Sequence, residues 1–313
     1  MLPPRSFQAQ ARALGGTLFH RRRSLIFDSA PGWVDLFGEG LADADYPAIG
    51  WPTADQAYVA LQTDPAPVMR VQIAGATDPE MTLPLELLAV QGWPLEYSAA
   101  RSVLGKLPPW LALAAGCWLA LLREEFVRPP GGVRLLLAPH NGPGVTASLA
   151  VAITSALCTA YSVRLARREL ALCAYQGLLH GLSYSLSPLG PLVVGCGAPG
   201  ELLAIDGPRC GLIGLHLPEG VSLGLRPAFG PALPLPPELH ADEGLRARLA
   251  LTLLRDGDGP QRAEHMTLIS ALLSQAQAAL VAHGLAPAID QPAARVTYAG
   301  AVVWIVKGIG NRE

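Results

Sequence analysis

The chain has 313 residues, of which 50% are hydrophobic and 15% charged, and its formal net charge is −2. This length and apolar content predict a compact, ordered protein with a substantial core and exclude a disordered chain. The small net charge supplies no broad positive field, and the one basic run, Arg21-Arg22-Arg23, is short. Nucleic acid is therefore not an expected partner.

The five cysteines are odd in number, widely spaced and without a Cys-x-x-Cys pair. This pattern predicts buried free thiols of a cytoplasmic protein rather than disulfides or a metal site. The N-terminus has no basic stretch followed by an apolar core, so no signal peptide is expected. The most apolar run, 110–122, is about seven residues shorter than the ~20 of a membrane-spanning helix, so no membrane partner is expected.

The first hundred residues are predicted to form mainly sheet. Short strands are expected at 24–28 and 34–37, on either side of a turn at Ala30-Pro31-Gly32. The segments 57–62 and 68–73 flank two prolines and predict a β-hairpin.

The rest of the chain alternates between apolar helices and short strands. The stretch 181–200 is dense in Ser, Pro and Gly and predicts a loop, with a strand near 192–194. The other predicted elements are helices at 110–125, 146–161, 166–179, 243–255 and 262–283, and strands at 133–137, 202–206, 211–217 and 301–306.

A glycine-containing loop, His140-Asn141-Gly142-Pro143-Gly144, connects the strand at 133–137 to the helix that begins near Thr146. Such a loop lets main-chain N–H groups approach an anion, and the first helical turn adds unpaired donors and a positive dipole end. The pattern is typical of a phosphate-binding loop, but a tight turn before a helix has the same pattern, so both interpretations stay open.

Four segments of the chain resemble the GHMP-superfamily sugar kinases. Residues 30–43, Ala-Pro-Gly-Trp-Val-Asp-Leu-Phe-Gly-Glu-Gly-Leu-Ala-Asp, resemble the N-terminal signature of galactokinases and L-arabinokinases. Residues 142–149 resemble the Gly-x-Gly-Leu-Ser-Ser-Ser-Ala motif, 201–218 resemble paired strands that follow the catalytic segment, and 294–300 resemble a shortened glycine-rich third motif.

The resemblance implies an α+β, two-lobed GHMP-kinase fold. Its N-terminal lobe, 1–190, would resemble domain 2 of ribosomal protein S5 and bind the nucleotide, and its C-terminal lobe, 191–313, would be ferredoxin-like. The implied ligands are ATP with Mg²⁺ and a small sugar, which meet between the lobes and react by positioning and charge stabilisation.

The resemblance also implies roles for individual residues. Glu39 and Asp43 would bind sugar hydroxyls, although Gly40 replaces the histidine of galactokinases, and Asp35 matches a structural position of the strand. Ser148 would face both phosphate and magnesium. The implied nucleotide-binding residues are Gly142, Pro143, Gly144, Thr146 and Ser148.

Several catalytic positions depart from the family pattern. Trp33 stands where galactokinases have an arginine, and an indole supplies no permanent positive charge. No Asp or Glu occurs between Glu169 and Glu201, so the family's magnesium-binding Glu and its hydroxyl-orienting Asp are both missing. In an ungapped match, Gly177 and Leu189 stand in their places.

Two hypotheses follow. The first is an ATP-dependent sugar 1-kinase for a galactose- or arabinose-like monosaccharide, with impaired transfer. The alternative is an inactive pseudokinase that binds nucleotide, sugar or a protein partner. His180 could replace the missing base or be a helix cap or solvated side chain. His140 could contact a phosphate or have only a surface-loop role.

Overall fold

The structure, a computed structural model, describes residues 3–38, 46–76, 79–183, 187–206, 211–217, 221–227, 236–256, 261–286, 294–297 and 301–307. The chain forms two compact units. The first unit comprises Met1–Gly32, Asp55–Asn141 and Val145–Gly195, and the second comprises Trp33–Ala54, Gly142–Gly144 and Cys196–Glu313. The division into a nucleotide-binding lobe, 1–190, and a ferredoxin-like C-terminal lobe, 191–313, stays a prediction.

The first unit combines a mixed sheet with a group of apolar helices. Its strand order is β4-β3-β7-β2, in which β3 is parallel to β7 and the other pairs are antiparallel. Its elements are α1 (Arg5–Ala13), the first part of β1 (Ile26–Phe37), the second part of β2 (Ala48–Asp64), β3 (Val68–Ile73), β4 (Met81–Pro84), a 3₁₀ turn (Leu85–Leu88), β5 (Ala89–Val90), β6 (Trp93–Pro94), α2 (Tyr97–Leu104), α3 (Pro109–Glu124), β7 (Gly132–Ala138), α4 (Val145–Ala160), α5 (Arg167–Gly181) and α6 (Leu189–Cys196).

Helices α3 and α4 are apolar around most of their circumference. Eleven residues of each helix are buried, which explains why neither sequence shows a polar face. Pro109 opens α3 in its first turn, where the missing N–H has no helical partner to lose. The helices predicted at 110–125, 146–161 and 166–179 and the strand at 133–137 are confirmed to within one or two residues.

Helices α3 and α5 approach each other through glycines. A Cβ added at Gly177 would lie 2.8 Å from both Cα and Sγ of Cys117, and one added at Gly181 would lie 2.7 Å from the carbonyl oxygen of Ala112. A Cβ at Gly116 would collide with the carbonyl oxygen of Gly177 and lie 2.8 Å from Cα of Gly181. The backbones are therefore closer than any side chain at these positions would allow.

The predicted hairpin of 57–62 with 68–73 is wrong, because β7 lies between the two strands. Tyr58 pairs with Ala138, while Met69 pairs with Val133 in the parallel direction. The glycines at the start of β7 explain the insertion: Gly132 donates its N–H to the carbonyl of Ala66 at 2.8 Å, and any side chain there would collide with Val68. The chain reversal at 64–67 therefore leaves space for β7 between the two strands. The alternation of apolar residues within each strand gives no sign of this third strand.

Two other local predictions are wrong. The expected turn at Ala30-Pro31-Gly32 is instead the middle of the continuous strand β1, since a proline fits an extended strand where its nitrogen is not needed as a donor. The strand expected near 192–194 is instead helix α6, whose first residue, Leu189, donates its N–H to Ser187 Oγ at 3.2 Å. A short apolar run does not distinguish a strand from a buried helix.

The second unit packs two helices against two small groups of strands. Strand β2 pairs with β8 and β8 with β9, while β10, β12 and β11 form a separate antiparallel sheet. Besides the end of β1 and the start of β2, its elements are β8 (Glu201–Asp206), β9 (Gly211–His216), β10 (Val221–Pro227), α7 (Pro237–Arg255), α8 (Arg262–Ala282), β11 (Ala294–Val296) and β12 (Ala301–Lys307).

A buried ion pair joins three elements of the second unit. Arg295 of β11 is fully buried and donates through Nη1 to Glu243 Oε1 of α7 at 2.5 Å and to the carbonyl oxygen of Leu36 in β1 at 2.9 Å. Glu243 Oε1 also accepts the N–H of Gly38 at 3.3 Å, and its Oε2 lies 3.3 Å from Arg246 Nη1. The pair therefore fixes the last residues of β1.

One described helix, Ala263–Ala282 within α8, is long and apolar enough to cross a membrane by length and composition alone. A single such helix is weak support for a membrane span. Met266, Ile269 and Leu273 on this helix lie in the hydrophobic core of the second unit.

Replacing Gly177 by alanine is expected to lower the melting temperature by about 2–6 °C. Alanine gains about 1 kcal/mol in helix propensity, but overpacking costs about 1–3 kcal/mol. The second effect should prevail because the new Cβ meets a backbone atom of Cys117 that no rotamer change moves. Thermal unfolding monitored by circular dichroism measures the shift. Gly214→Ala is the control, because its Cβ would make an ordinary 3.7 Å contact, and equal melting temperatures for both variants would contradict the expectation.

Replacing Glu243 by alanine is expected to cost about 3–5 kcal/mol, because the fully buried Arg295 loses the carboxylate that it contacts most closely among the described residues. The double variant Glu243→Leu/Arg295→Met removes both charges and should be more stable than the single variant. Urea unfolding of the wild type and the two variants measures this difference. A double variant that is less stable than Glu243→Ala would show that the charges themselves stabilise this unit.

Candidate functional site

The predicted phosphate-binding segment is divided between the two units: the loop Gly142–Gly144 belongs to the second unit and the helix that begins at Val145 to the first. In the second unit, Gly144 has a φ of +72°, a conformation that glycine adopts without the steric cost of a Cβ. The N–H of Trp33 donates to the carbonyl oxygen of Pro143 at 3.4 Å. This bond joins the loop Gly142–Gly144 to strand β1.

The indole of Trp33 packs directly on the glycine loop. A side chain at Gly144 would collide with Cδ1 and Nε1 of Trp33. Trp33 is only 1% exposed, and its Nε1 has no hydrogen-bond partner within the described part of the chain. The residue at the place of the family's arginine therefore contributes packing to the loop.

In the first unit, helix α4 begins with Val145 and has no acidic residue in its first turn. Its first N–H groups and its dipole therefore favour an anion, with no carboxylate of the same turn opposing it. Thr146, the second residue of the helix, is half-buried. Because α4 runs for sixteen residues, its N-terminus carries a full helix dipole.

Ser148 is buried, and its hydroxyl has two neighbours in the first unit. Its Oγ donates to the carbonyl oxygen of Pro31 at 2.6 Å and lies 3.1 Å from His140 Nε2. Since the hydroxyl gives its single proton to Pro31, it accepts from His140, which requires a proton on Nε2. The hydroxyl of Ser148 and the ring of His140 thus contact each other at the start of α4.

The two places of the missing carboxylates are occupied by packing residues. Gly177 forms the close contact between α3 and α5, so a Glu at this point would need the helices to separate. Leu189 is fully buried at the start of α6.

His180 is only 8% exposed, so its interpretation as a solvated side chain is wrong. Its ring stacks on Tyr97 with centroids 3.8 Å apart, and its Nδ1 has no hydrogen-bond partner among the described residues. Burial lowers the pKa of His180, and the positive charges of Arg101 and Arg123 act in the same direction. The imidazole is therefore held neutral at physiological pH.

Of the three acidic residues singled out in residues 30–43, the structure describes only one. Glu39 and Asp43, expected to bind the sugar, lie outside the described residues. Asp35 is fully buried in β1. Within the described ranges, no group of three His, Cys, Asp or Glu residues could hold a metal ion.

Sequence reasoning missed the contacts that shape this region. The pairing of Trp33 with Gly144 and the ion pair of Glu243 with Arg295 join residues that are far apart in the sequence. A charged residue within an otherwise apolar segment was the available signal for Arg295, since a buried arginine requires a partner.

Comparison with known proteins gives one sequence match and several structural ones. No protein-family model matches the sequence. The chain is 25% identical over 259 residues to an L-arabinokinase of Arabidopsis thaliana, and the match covers 71% of this chain and 25% of that protein. The chain thus spans about a quarter of the length of this relative.

The structural matches cover nearly the whole chain at low sequence identity. Lactococcus lactis galactokinase in complex with galactose matches with a TM-score of 0.73 and 11% identity, over 96% of this chain and 90% of that one. Mevalonate kinase of Methanococcus jannaschii gives a TM-score of 0.58 and 13% identity, over 92% of each chain. A D-glycero-D-manno-heptose 1-phosphate kinase from Bacteroides thetaiotaomicron gives 0.57 and 14%, over 91% and 89%.

These matches confirm the predicted GHMP-kinase fold at the level of the backbone. The sequence match to an L-arabinokinase agrees with the sugar-kinase motifs found along the chain. The chain therefore has the backbone fold of these kinases, and its sequence is similar to that of an L-arabinokinase.

Proposed function

We propose that the chain is a cytoplasmic, ATP-dependent kinase that phosphorylates a galactose- or arabinose-like monosaccharide, with impaired transfer. The observation that supports this most strongly is the match to a galactose-bound galactokinase over 96% of the chain. The L-arabinokinase match supports the same substrate class.

The nucleotide phosphates would bind at the glycine loop and the start of α4. Gly144 keeps a backbone conformation that a side chain would strain, and main-chain N–H groups in such a loop can approach phosphate oxygens closely. Thr146 adds a hydroxyl in the first helical turn, and no acidic residue of that turn repels the ligand. Gly142 and Pro143 complete the loop.

The sugar would bind to Glu39 and Asp43, directly after β1. The preceding residues are well anchored, because Gly38 donates to Glu243 and the carbonyl oxygen of Leu36 accepts from Arg295. A carboxylate that follows a fixed strand end can accept hydrogen bonds from sugar hydroxyls in a defined direction.

Transfer would depend on positioning more than on charge. Trp33 supplies no cation, and Gly177 and Leu189 supply neither a base nor a metal ligand. The described residues do not fit a protein-bound magnesium ion, since no group of three His, Cys, Asp or Glu residues among them could hold a metal and no carboxylate occurs between Glu169 and Glu201. Phosphoryl transfer is therefore not proposed to depend on a magnesium ion held by these residues. The loss of the general base alone slows transfer by ~10²- to 10⁴-fold.

The first test is an assay for sugar-dependent ADP release. We expect slow release from ATP with galactose or L-arabinose, and a higher melting temperature in the presence of ATP because a bound ligand stabilises the folded chain. A coupled ADP assay and differential scanning fluorimetry, with and without magnesium, measure both effects. Reactions without sugar are the control for ATP hydrolysis.

Two outcomes would contradict the proposal. ATP or sugar could raise the melting temperature without any ADP release, which would favour the pseudokinase hypothesis. If neither ligand shifted the melting curve and no ADP formed, both ligand-binding hypotheses would be wrong.

Gly144→Ala is expected to abolish the ATP-induced rise in melting temperature, because the new Cβ collides with Trp33 at the loop. Gly75→Ala is a matched control: Gly75 has nearly the same φ, +75°, and a Cβ there meets no atom within 4 Å. Both variants carry the left-handed strain of roughly 1–2 kcal/mol, so their difference isolates the collision. If both variants respond equally to ATP, the loop does not bind the nucleotide.

Trp33→Phe is expected to leave the ADP-release rate within about twofold of wild type, since less than about 0.4 kcal/mol of transition-state stabilisation is lost. The physical reason is that Nε1 has no partner within the described residues and that Phe keeps an aromatic ring on Gly144. Steady-state kinetics measure this rate. A tenfold or greater loss would show that the indole N–H takes part in transfer.

A further inference from the structure

The N-terminal segment concentrates positive charge in a protein that is slightly acidic overall. The first 32 residues contain five arginines and one aspartate, whereas the whole chain has 23 basic and 25 acidic residues. None of these arginines is among the residues predicted to bind nucleotide or sugar.

Three of these arginines line a pocket of about 560 Å³ in the first unit. Arg12, Arg21 and Arg23 line it together with His20, and the half-buried Leu25 and Phe27 supply apolar surface. This volume lies within the usual range for small-molecule sites, about 300–1,000 Å³.

The loop that carries the basic side chains is fixed by a buried glutamine. Gln62 is 1% exposed, and its Oε1 accepts the N–H of His20 at 2.7 Å. Its Nε2 donates to the carbonyl oxygens of His20 and Arg23 at 3.1 and 3.0 Å. All side-chain polar groups of Gln62 thus serve to hold residues 20–23 in one conformation.

Arg21 is held against the backbone opposite this loop. Its Nε donates to the carbonyl oxygen of Gly15 at 3.1 Å, and it lies over Gly16, whose φ is +101°. A Cβ on Gly16 would lie 3.0 Å from Arg21 Nε, so the glycine provides the space that the guanidinium occupies. The Nη groups of Arg21 make no hydrogen bond within the described residues.

The arginines of the pocket have no carboxylate partner among the described residues. His20 has one acidic neighbour, Asp64, at 3.8 Å, and Asp64 already accepts a 2.5 Å hydrogen bond from Arg134. A group of guanidinium ions with open donors, in a pocket with partly apolar walls, matches a ligand that carries several anionic oxygens.

We propose that this pocket binds a small phosphate-bearing molecule, a phosphate or pyrophosphate ester whose uncharged part contacts Leu25 and Phe27. A planar guanidinium group binds two oxygens of a phosphate or of a carboxylate, but three guanidinium groups around one pocket match the larger charge and the additional oxygens of a phosphate. The pocket shares no lining residue with the proposed kinase site, so this inference does not depend on the proposed function.

The test is isothermal titration of the full chain with inorganic pyrophosphate and with glucose 1-phosphate, in the absence of magnesium. Arg12→Ala and Arg21→Ala are each expected to weaken binding about tenfold, since a charge-assisted hydrogen bond contributes at least that much. Arg22→Ala is the matched control, because Arg22 is exposed in the same basic run and does not line the pocket. Its affinity should equal that of the wild type.

Arg12 keeps the test valid if Arg21→Ala disturbs the fold, because the Arg12 side chain is exposed and makes no hydrogen bond within the described residues. Equal affinities of wild type, Arg12→Ala and Arg21→Ala would overturn the proposal, as would the absence of binding to wild type. Loss of binding in Gly144→Ala alone would also overturn it, because the anion would then bind at the glycine loop. The same titration is carried out with a single-stranded oligonucleotide. If the oligonucleotide bound more tightly than pyrophosphate, and equally to Arg22→Ala and wild type, the proposal of a small ligand would be overturned in favour of a nucleic acid.

Discussion

The buried pair of Arg295 and Glu243 determines where strand β1 ends. A buried guanidinium and a buried carboxylate need hydrogen-bond partners inside the protein, and here they contact each other and the backbone of Leu36 and Gly38. An apolar pair would fill the same volume without directing any bond to that backbone. Burial of the two charges costs free energy, but their hydrogen bonds hold the last residues of β1 in a defined position.

In the proposed kinase site, packing residues stand at positions where the family resemblance implies charged side chains. Gly144 has a φ of +72° and is covered by Trp33, while Gly177 brings two helices together. These exchanges are coupled to the fold, because a charged side chain at Gly177 would meet the backbone of Cys117. Restoring a carboxylate there would require a different spacing of α3 and α5, so a single substitution is not enough to recover it.

Local sequence patterns correctly predicted those helices and strands whose type depends on the residues of a single segment. Helices α3, α4 and α5 and strand β7 are of this kind, since their helical or apolar composition and the flanking Gly and Pro residues are visible in the sequence. The order of strands was not predictable, because β7 separates β2 from β3 through a close approach at Gly132. The same applies to the site: the motif located the glycine loop, but the contacts of Ser148 with Pro31 and of Trp33 with Gly144 join distant segments.

The thiol of Cys117 lies in the contact between α3 and α5, and burial raises its pKa to about 12. A protonated thiol enclosed by backbone reacts with neither oxidants nor alkylating reagents until the two helices part. The rate at which a maleimide or disulfide reagent modifies Cys117 would thus measure how often this helix pair opens in the native protein. The close helix packing that leaves no space for a carboxylate therefore also limits the rate at which this thiol can react.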